Sequence, residues 1–93
     1  MVSVQGALFE LGIVSFSPAV REALQNASLS ETEMLRLHQN GEWESQPYLK
    51  AKNLEALKND DWVCSSFDLP RGRTVWLFTE PNRTSTIALL ENP

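Results

Sequence analysis

The sequence is poor in the side chains on which most enzyme and metal sites depend. Its 93 residues include one cysteine, Cys64, and one histidine, His38. A single cysteine excludes an internal disulfide framework and any zinc site built from several cysteines. The nucleotide-binding patterns G-x-x-x-x-G-K-S/T and G-x-G-x-x-G and the nucleophile pattern G-x-S-x-G are absent. We therefore predict no catalytic residue, no bound metal and no cofactor.

Basic residues and long apolar runs are also scarce. Eight lysines and arginines face twelve aspartates and glutamates, which gives a formal net charge of -4. This balance disfavours direct nucleic-acid binding, because binding by counterion release needs a basic face. No run is long enough to cross a bilayer, and the apolar opening, residues 1–16, lacks the basic segment of a signal peptide. We expect a cytoplasmic protein with no membrane association.

Helix start signals recur through the first two thirds of the chain. Ser17 precedes a proline and is a good N-cap for a first helix. Ser30 and Glu33 form a capping box that starts a second helix. A third helix is predicted over about 46–59, with Asn53 in the middle of its apolar face. Because an unpaired buried amide costs about 1–3 kcal/mol, we expect Asn53 to be hydrogen-bonded to a neighbouring backbone.

The last third of the chain alternates apolar and polar residues, as strands do. Three segments rich in β-branched and aromatic residues are separated by short turns: 62–69, 74–80 and 84–90. Short connections favour an antiparallel meander, and the segment 9–16 is a candidate fourth strand. Trp62 and Trp76 are predicted to lie in the core. The prediction is a single α+β domain, residues 1–93, with three N-terminal helices packed on a three- to four-stranded antiparallel sheet.

Four segments, in their order and spacing, resemble a family of small uncharacterised bacterial proteins carried by plasmids, phages and integrated elements. They are "LGIVSFSPAVREAL" (11–24), "RLHQNGEWE" (36–44), "NLEAL" (53–57) and "SSFDLPRGRTVWLFTEPNRTSTIALL" (65–90). The family shows a His-x-x-Gly-Asp-Trp-Gly turn and a "W-x-x-T-E-x-D-R-S-x-T" hairpin. This chain departs from the pattern at Glu42, Glu44 and Asn82. The resemblance implies an accessory role on a mobile genetic element, in a bacterial or phage-infected host, and brings no established activity.

His38, Glu80 and Arg83 are one candidate functional cluster. A histidine can serve as a general base or a metal ligand. Alternatively, His38 caps the second helix or orders the turn at Gly41, and Glu80 and Arg83 hold the hairpin turn by an ion pair or hydrogen bonds. We favour the structural interpretation, because these residues lack the spacing of a known catalytic or metal motif.

Trp43, Arg71, Arg73 and Arg83 are the candidate anchors for a protein partner, since Trp and Arg dominate interface hot spots. Trp43 can instead fold back over the core, and the two arginines around Gly72 can belong to an ordinary solvated turn.

Two functions stay open at this point. The favoured one is a small non-enzymatic binding or regulatory protein of a mobile genetic element, such as an inhibitor that contacts a host defence complex. The alternative is a small enzyme or enzyme subunit centred on His38, Glu80 and Arg83. A structure that places those three side chains in one concave pocket would favour the enzyme. The sequence leaves the oligomeric state open.

Overall fold

The computed structural model describes residues 7–92, in which three helices precede a C-terminal run of three strands. The elements in chain order are β1 (Ile13–Phe16), α1 (Pro18–Asn26), α2 (Glu31–Gln39), α3 (Pro47–Asn59), β2 (Val63–Asp68), β3 (Thr74–Thr79) and β4 (Ser85–Glu91). A short 3-10 turn, Pro70–Gly72, joins β2 to β3. The α+β class predicted from the sequence is confirmed.

The sheet has the strand order β1-β4-β3-β2 and is mixed. β2, β3 and β4 form the predicted antiparallel meander. β1 is shorter than the predicted segment 9–16 and runs parallel to β4, with Ile13 opposite Ser85. Parallel pairing needs a long connection, and the chain between β1 and β4 supplies one because it passes through all three helices and two strands. The antiparallel expectation therefore holds for the meander and not for β1.

Gly12 allows β1 to approach β4 closely. Its φ is +67°, and a Cβ added there would lie 2.2 Å from the carbonyl carbon of Thr84. The backbone N–H of Ile13 then donates to the Thr84 carbonyl at 2.9 Å. A side chain at position 12 would collide with backbone, so only glycine fits this conformation without displacement.

The two predicted N-caps are confirmed. Ser17 Oγ accepts a hydrogen bond from the Val20 N–H at 3.2 Å, and Ser30 Oγ accepts one from the Glu33 N–H at 3.2 Å. The reciprocal half of the capping box is not formed, because the Glu33 carboxylate instead pairs with Arg36 on the next turn, at 2.6 Å. These caps fix where α1 and α2 begin.

The helices cover one face of the sheet, and the core lies between them. Its main cluster joins the inner side chains of α1, α2 and the strands, namely Phe16, Val20, Ala23, Leu24, Met34, Leu69, Val75, Leu77 and Ala88. A second cluster of Trp43, Ala56 and Val63 lies under α3. Among residues 7–92, no helix is both long and apolar enough to cross a bilayer.

α3 lies along β2, one of the two edge strands of the sheet. The buried Asn53 amide donates to the Cys64 carbonyl at 2.7 Å and accepts from the Cys64 N–H at 3.0 Å. The Gln46 amide donates to the Ser66 carbonyl at 2.7 Å. Side chains thus occupy edge groups that another strand would otherwise pair with, which protects β2 from strand addition. The predicted structural role of Asn53 is confirmed.

The open sheet face and the predicted site residues

His38 lies at the centre of a buried hydrogen-bond network between α2 and the sheet. Its side chain is fully buried. Nδ1 is 2.5 Å from Ser65 Oγ, and Nε2 is 2.9 Å from Thr79 Oγ1. The imidazole and the Phe9 ring are nearly perpendicular, at 89°, with their centroids 5.1 Å apart. The histidine therefore ties two strands to α2, and the prediction that it caps the helix end or orders the turn is wrong.

The partners of the network fix the direction of every proton in it. Trp43 Nε1 can only donate, and it donates to Ser65 Oγ at 2.8 Å. The other end sets the remaining directions, because the Leu11 carbonyl can only accept and so takes the Thr86 proton. Thr79 must then donate to Thr86 Oγ1, at 2.7 Å, and accept from Nε2–H of His38, and Nδ1 of the neutral imidazole accepts from the Ser65 hydroxyl.

The chain of donors ends on a backbone oxygen, because the Thr86 hydroxyl donates to the Leu11 carbonyl at 2.8 Å. The imidazole and each of the three hydroxyls between the indole and the carbonyl donate once and accept once, and a protonated imidazole would upset this order. Burial lowers the pKa of His38 to about 4, from an ordinary value of 6.5. The histidine is neutral near pH 7 and enclosed, so it has no access to a substrate.

Glu80 and Arg83 hold the turn between β3 and β4, as the structural interpretation predicted. The Glu80 carboxylate accepts hydrogen bonds from the hydroxyls of Thr84 and Ser85, and these bonds hold the pKa of Glu80 below its ordinary value. The Arg83 guanidinium donates to the backbone carbonyls of Asp61 at 2.6 Å, Glu80 at 3.1 Å and Ala56 at 3.3 Å. The hydrogen-bonded form of the prediction is observed, and the carboxylate–guanidinium ion pair is not formed.

His38, Glu80 and Arg83 do not meet in one concave pocket. The histidine is in the core, and the other two side chains are engaged with the hairpin turn. Within residues 7–92, no three His, Cys, Asp or Glu side chains are placed to hold a metal ion. The geometry that the enzyme alternative requires is absent from the described part of the chain.

The four predicted anchors have different environments. Trp43 is buried, with 2% of its surface exposed, and its indole is engaged with Ser65, so it folds back over the core. Arg83 is occupied by backbone carbonyls. Arg71 is exposed at the tip between β2 and β3, and Arg73 lies beside it in a cleft against α1. Only this pair is free to meet a partner without breaking internal hydrogen bonds.

The face of the sheet opposite the helices carries apolar side chains that no described element buries. Trp76 and Phe78 stack on β3, with ring centroids 5.9 Å apart and planes at 13°. Ile87 and Leu89 stand opposite them on β4 and are 37% and 51% exposed. Ile13 extends the row onto β1 with 75% of its surface exposed. We call Ile13, Trp76, Phe78, Ile87 and Leu89 the open face.

A groove of about 560 Å³ runs between α3 and the β2 side of the open face. The sheet side is formed by Cys64, Trp76 and Phe78, and the other side by α3 and by Trp62. Burial raises the pKa of the Cys64 thiol, so the cysteine is an unreactive thiol at the bottom of the groove. The core placement predicted for the two strand tryptophans is wrong, since Trp62 is 48% exposed just before β2 and Trp76 points to the open face.

Carboxylates outnumber cations around this surface. Glu55, Asp61 and Lys52 line the groove. Glu91 accepts a hydrogen bond from the Trp76 indole at 2.9 Å, and this bond orients the ring. The Lys52 ammonium lies 5.7 Å from the centroid of the Tyr48 ring. In the described residues the three ion pairs involve other side chains, so Glu55, Asp61 and Glu91 face solvent without a cationic partner.

Sequence reasoning missed the open face because alternation was interpreted as one apolar and one polar side. In fact β3 reads T-V-W-L-F-T, with apolar residues pointing to both sides. Such a run is typical of a strand covered on both faces. The signal that could have located the surface is therefore a strand with apolar side chains on both of its faces. The three predicted helices are too few to cover both faces of the sheet.

Comparisons with known proteins find no match for this chain among protein-family models, curated proteins or solved structures.

Proposed function

We propose that this chain is a non-enzymatic binding module that docks a partner protein on its open face. The observation that carries the proposal is the row of apolar side chains on the open face, in which Ile13, Ile87 and Leu89 are exposed and the two aromatic rings are half-buried. Contiguous apolar patches are rare on soluble monomers and are typical of interaction sites. Tryptophan and phenylalanine are also enriched in the cores of interfaces. An interface of standard size takes about 800 Å² from each partner, which a domain this small can supply.

The charge around the open face specifies the partner's chemistry. Glu55, Asp61, Asp68 and Glu91 flank the apolar row, and Lys52 is the one cation among them. A partner segment that covers the row must therefore present apolar side chains flanked by arginine or lysine. Complementary charge of this kind fixes orientation and speeds association. An acidic partner, or a nucleic acid, would be repelled.

The resemblance to accessory proteins of mobile elements gives this proposal a biological setting. A module without catalytic groups acts by occupying a surface of another protein, and a component of a host defence complex is the partner that the resemblance favours. Arg71 and Arg73 lie at the tip beyond β2, away from the groove, and are proposed as a second contact with that partner.

The proposal is tested by comparing two single substitutions in affinity capture from host-cell lysate. Leu89→Glu places a charge on the open face, where the parent side chain is 51% exposed. Leu54→Glu is the matched control, because Leu54 is 45% exposed on α3 and does not line the groove. We expect the parent and Leu54→Glu to retain the same basic partner and Leu89→Glu to lose it, with at least about a tenfold weaker affinity when the pair is purified.

Light scattering on the purified chain completes the test. The proposal is supported if the purified chain has the molar mass of a monomer and forms a heavier complex only when the captured protein is added. A parent dimer that Leu89→Glu converts to monomer would mean that a second copy covers the open face, and it would overturn the assignment to a different protein. Equal capture by both variants would remove the open face from the interface.

A further inference from the structure

We propose that the groove between α3 and the open face is a pocket for an arginine side chain of the partner. This inference rests on the proposed function and adds the chemical identity of one anchor. The groove shares Trp76 and Phe78 with the open face and adds a second side, formed by α3 and Trp62. Its volume of about 560 Å³ is within the range of sites that enclose a ligand group.

Four aromatic side chains line the groove. Tyr48 is 74% exposed at its mouth, Trp62 is 48% exposed, and the stacked pair of Trp76 and Phe78 forms the sheet side. The faces of such rings carry negative electrostatic potential and attract cations. The fold already uses this property once, since the Lys52 ammonium lies over the Tyr48 ring. Trp62, Trp76 and Phe78 have no such cation among the described residues.

The groove offers a guanidinium two carboxylates as hydrogen-bond acceptors, those of Glu55 and Asp61. The Asn53 amide is occupied by hydrogen bonds to the Cys64 backbone. Asp61 uses one carboxylate oxygen to accept from the Trp62 N–H at 2.7 Å. Its other oxygen and the Glu55 carboxylate retain acceptor capacity. Lys52 is the one cation of the lining, and its side chain is held toward Tyr48.

These features together select a guanidinium. A guanidinium is planar, stacks on aromatic faces and presents several donors that match carboxylate oxygens. An ammonium is a compact, strongly hydrated charge that loses more hydration in a groove lined by four aromatic rings. A neutral side chain of the same shape would satisfy the aromatic sides and leave the carboxylates without a cation.

The experiment uses N-acetyl-arginine amide as the probe and N-acetyl-citrulline amide as its uncharged isostere. The three indole N–H signals are followed by two-dimensional NMR of the full chain. We expect the arginine probe to shift the signals of Trp62 and Trp76 saturably at millimolar concentration, at least about tenfold more tightly than the citrulline probe. The Trp43 indole, buried and bonded to Ser65, serves as the internal control and should not move.

Charge-neutral variants locate the site. Asp61→Asn retains the oxygen that accepts from the Trp62 N–H and removes the negative charge. Glu55→Gln removes the negative charge of a second lining residue, on α3, at nearly the same side-chain shape. Each should weaken binding of the arginine probe about threefold or more, and high salt should weaken it in the parent. Glu22→Gln is the matched control, because Glu22 lies on α1 in a different cleft, and its affinity should equal that of the parent.

Four results would overturn the arginine pocket: no saturable shift, equal binding of the citrulline probe, parental affinity in both Asp61→Asn and Glu55→Gln, or a Trp43 shift as large as those of Trp62 and Trp76. The failures of the two proposals are distinguishable. If Leu89→Glu loses partner capture while Asp61→Asn and Glu55→Gln fully retain it, the binding module is supported and the arginine pocket is refuted. If the arginine probe binds selectively while Leu89→Glu captures the partner as well as the parent does, the pocket is supported and the open face is not the interface.

Discussion

Replacing Asn53 by leucine removes the side chain that seals the edge of β2. The amide is 1% exposed and makes two hydrogen bonds to one residue, from Nδ2 to the Cys64 carbonyl at 2.7 Å and from the Cys64 N–H to Oδ1 at 3.0 Å. Leucine has a similar volume and no polar atom. The variant therefore leaves both backbone groups of Cys64 without a partner while α3 stays in place.

The magnitude follows from two opposing terms. Each buried polar group that loses its partner costs about 1–3 kcal/mol, so the two groups cost about 2–6 kcal/mol together. A buried leucine side chain returns about 1.5–3 kcal/mol of hydrophobic stabilisation. The midpoints of the two ranges, about 4 and about 2 kcal/mol, give an expected net loss of about 2 kcal/mol in the free energy of unfolding. This is a large share of the stability of a domain of this size, which is on the order of 5–14 kcal/mol.

Urea denaturation followed by tryptophan fluorescence measures the change. The matched control is Asn59→Leu on the same helix, because Asn59 is exposed and its one hydrogen bond, to Glu55, is long at 3.5 Å. The control should lie within about 0.5 kcal/mol of the parent. Asn53→Leu should also aggregate more readily, since it exposes an unpaired strand edge.

An Asn53→Leu variant as stable as the parent would refute the reasoning. It would mean that water reaches the Cys64 backbone and replaces the amide without cost. Equal losses in Asn53→Leu and Asn59→Leu would show that the effect does not come from the sealed edge, and helix propensity would not explain it either, since leucine is the better helix former.

The remaining predictions concern the histidine network, a glycine and a helix cap. The pKa of His38 is about 4 in the folded chain and 6.5 in the unfolded chain, so on acidification the unfolded chain takes up a proton at a higher pH than the folded chain does. About 3 kcal/mol of stability that is present above pH 6.5 is therefore lost as the pH falls to 4. Urea midpoints across this window should show the loss, and His38→Gln should flatten it. Gly12→Ala should lower the thermal midpoint more than Gly41→Ala does. Both glycines have a positive φ, but an added Cβ at Gly12 would meet backbone atoms, whereas one at Gly41 would first meet the flexible Leu8 side chain. Equal decreases in the thermal midpoint would contradict this prediction. Ser30→Ala should cost about 0.5–2 kcal/mol in urea denaturation, and an unchanged midpoint would show that the cap contributes nothing.

Local chemistry made several elements of this fold predictable. A serine before a helix satisfies an orphan N–H wherever the helix packs, so Ser17 and Ser30 identify the starts of α1 and α2 from sequence alone. Alternation and short turns in the last third similarly predict the meander. Asn53 stood out because an amide on an apolar helix face must find a partner.

The candidate site was less predictable, because its parts share no local signal. The adjacent Asp61 and Trp62, then Trp76, then Glu91 lie in three separate segments, which meet only when the strands pair and α3 lies along β2. The lone histidine misled in the opposite direction, because a histidine suggests a catalytic or metal-binding residue. Its observed role, joining α2 to two strands, depends on serine and threonine hydroxyls that are 27 and 41 positions away in the sequence.

The sequence by itself determined the α+β class, the helix starts, the meander and the need to satisfy Asn53, because these follow from interactions between residues near in the chain. Only the tertiary structure decided that β1 runs parallel to β4, that His38 is enclosed and neutral, and that one face of the sheet stays uncovered. Each of these depends on which distant segments exclude water from which side chains. Three short helices cover one side of the four-stranded sheet, and the described residues leave the apolar side chains on its other side exposed or half-buried.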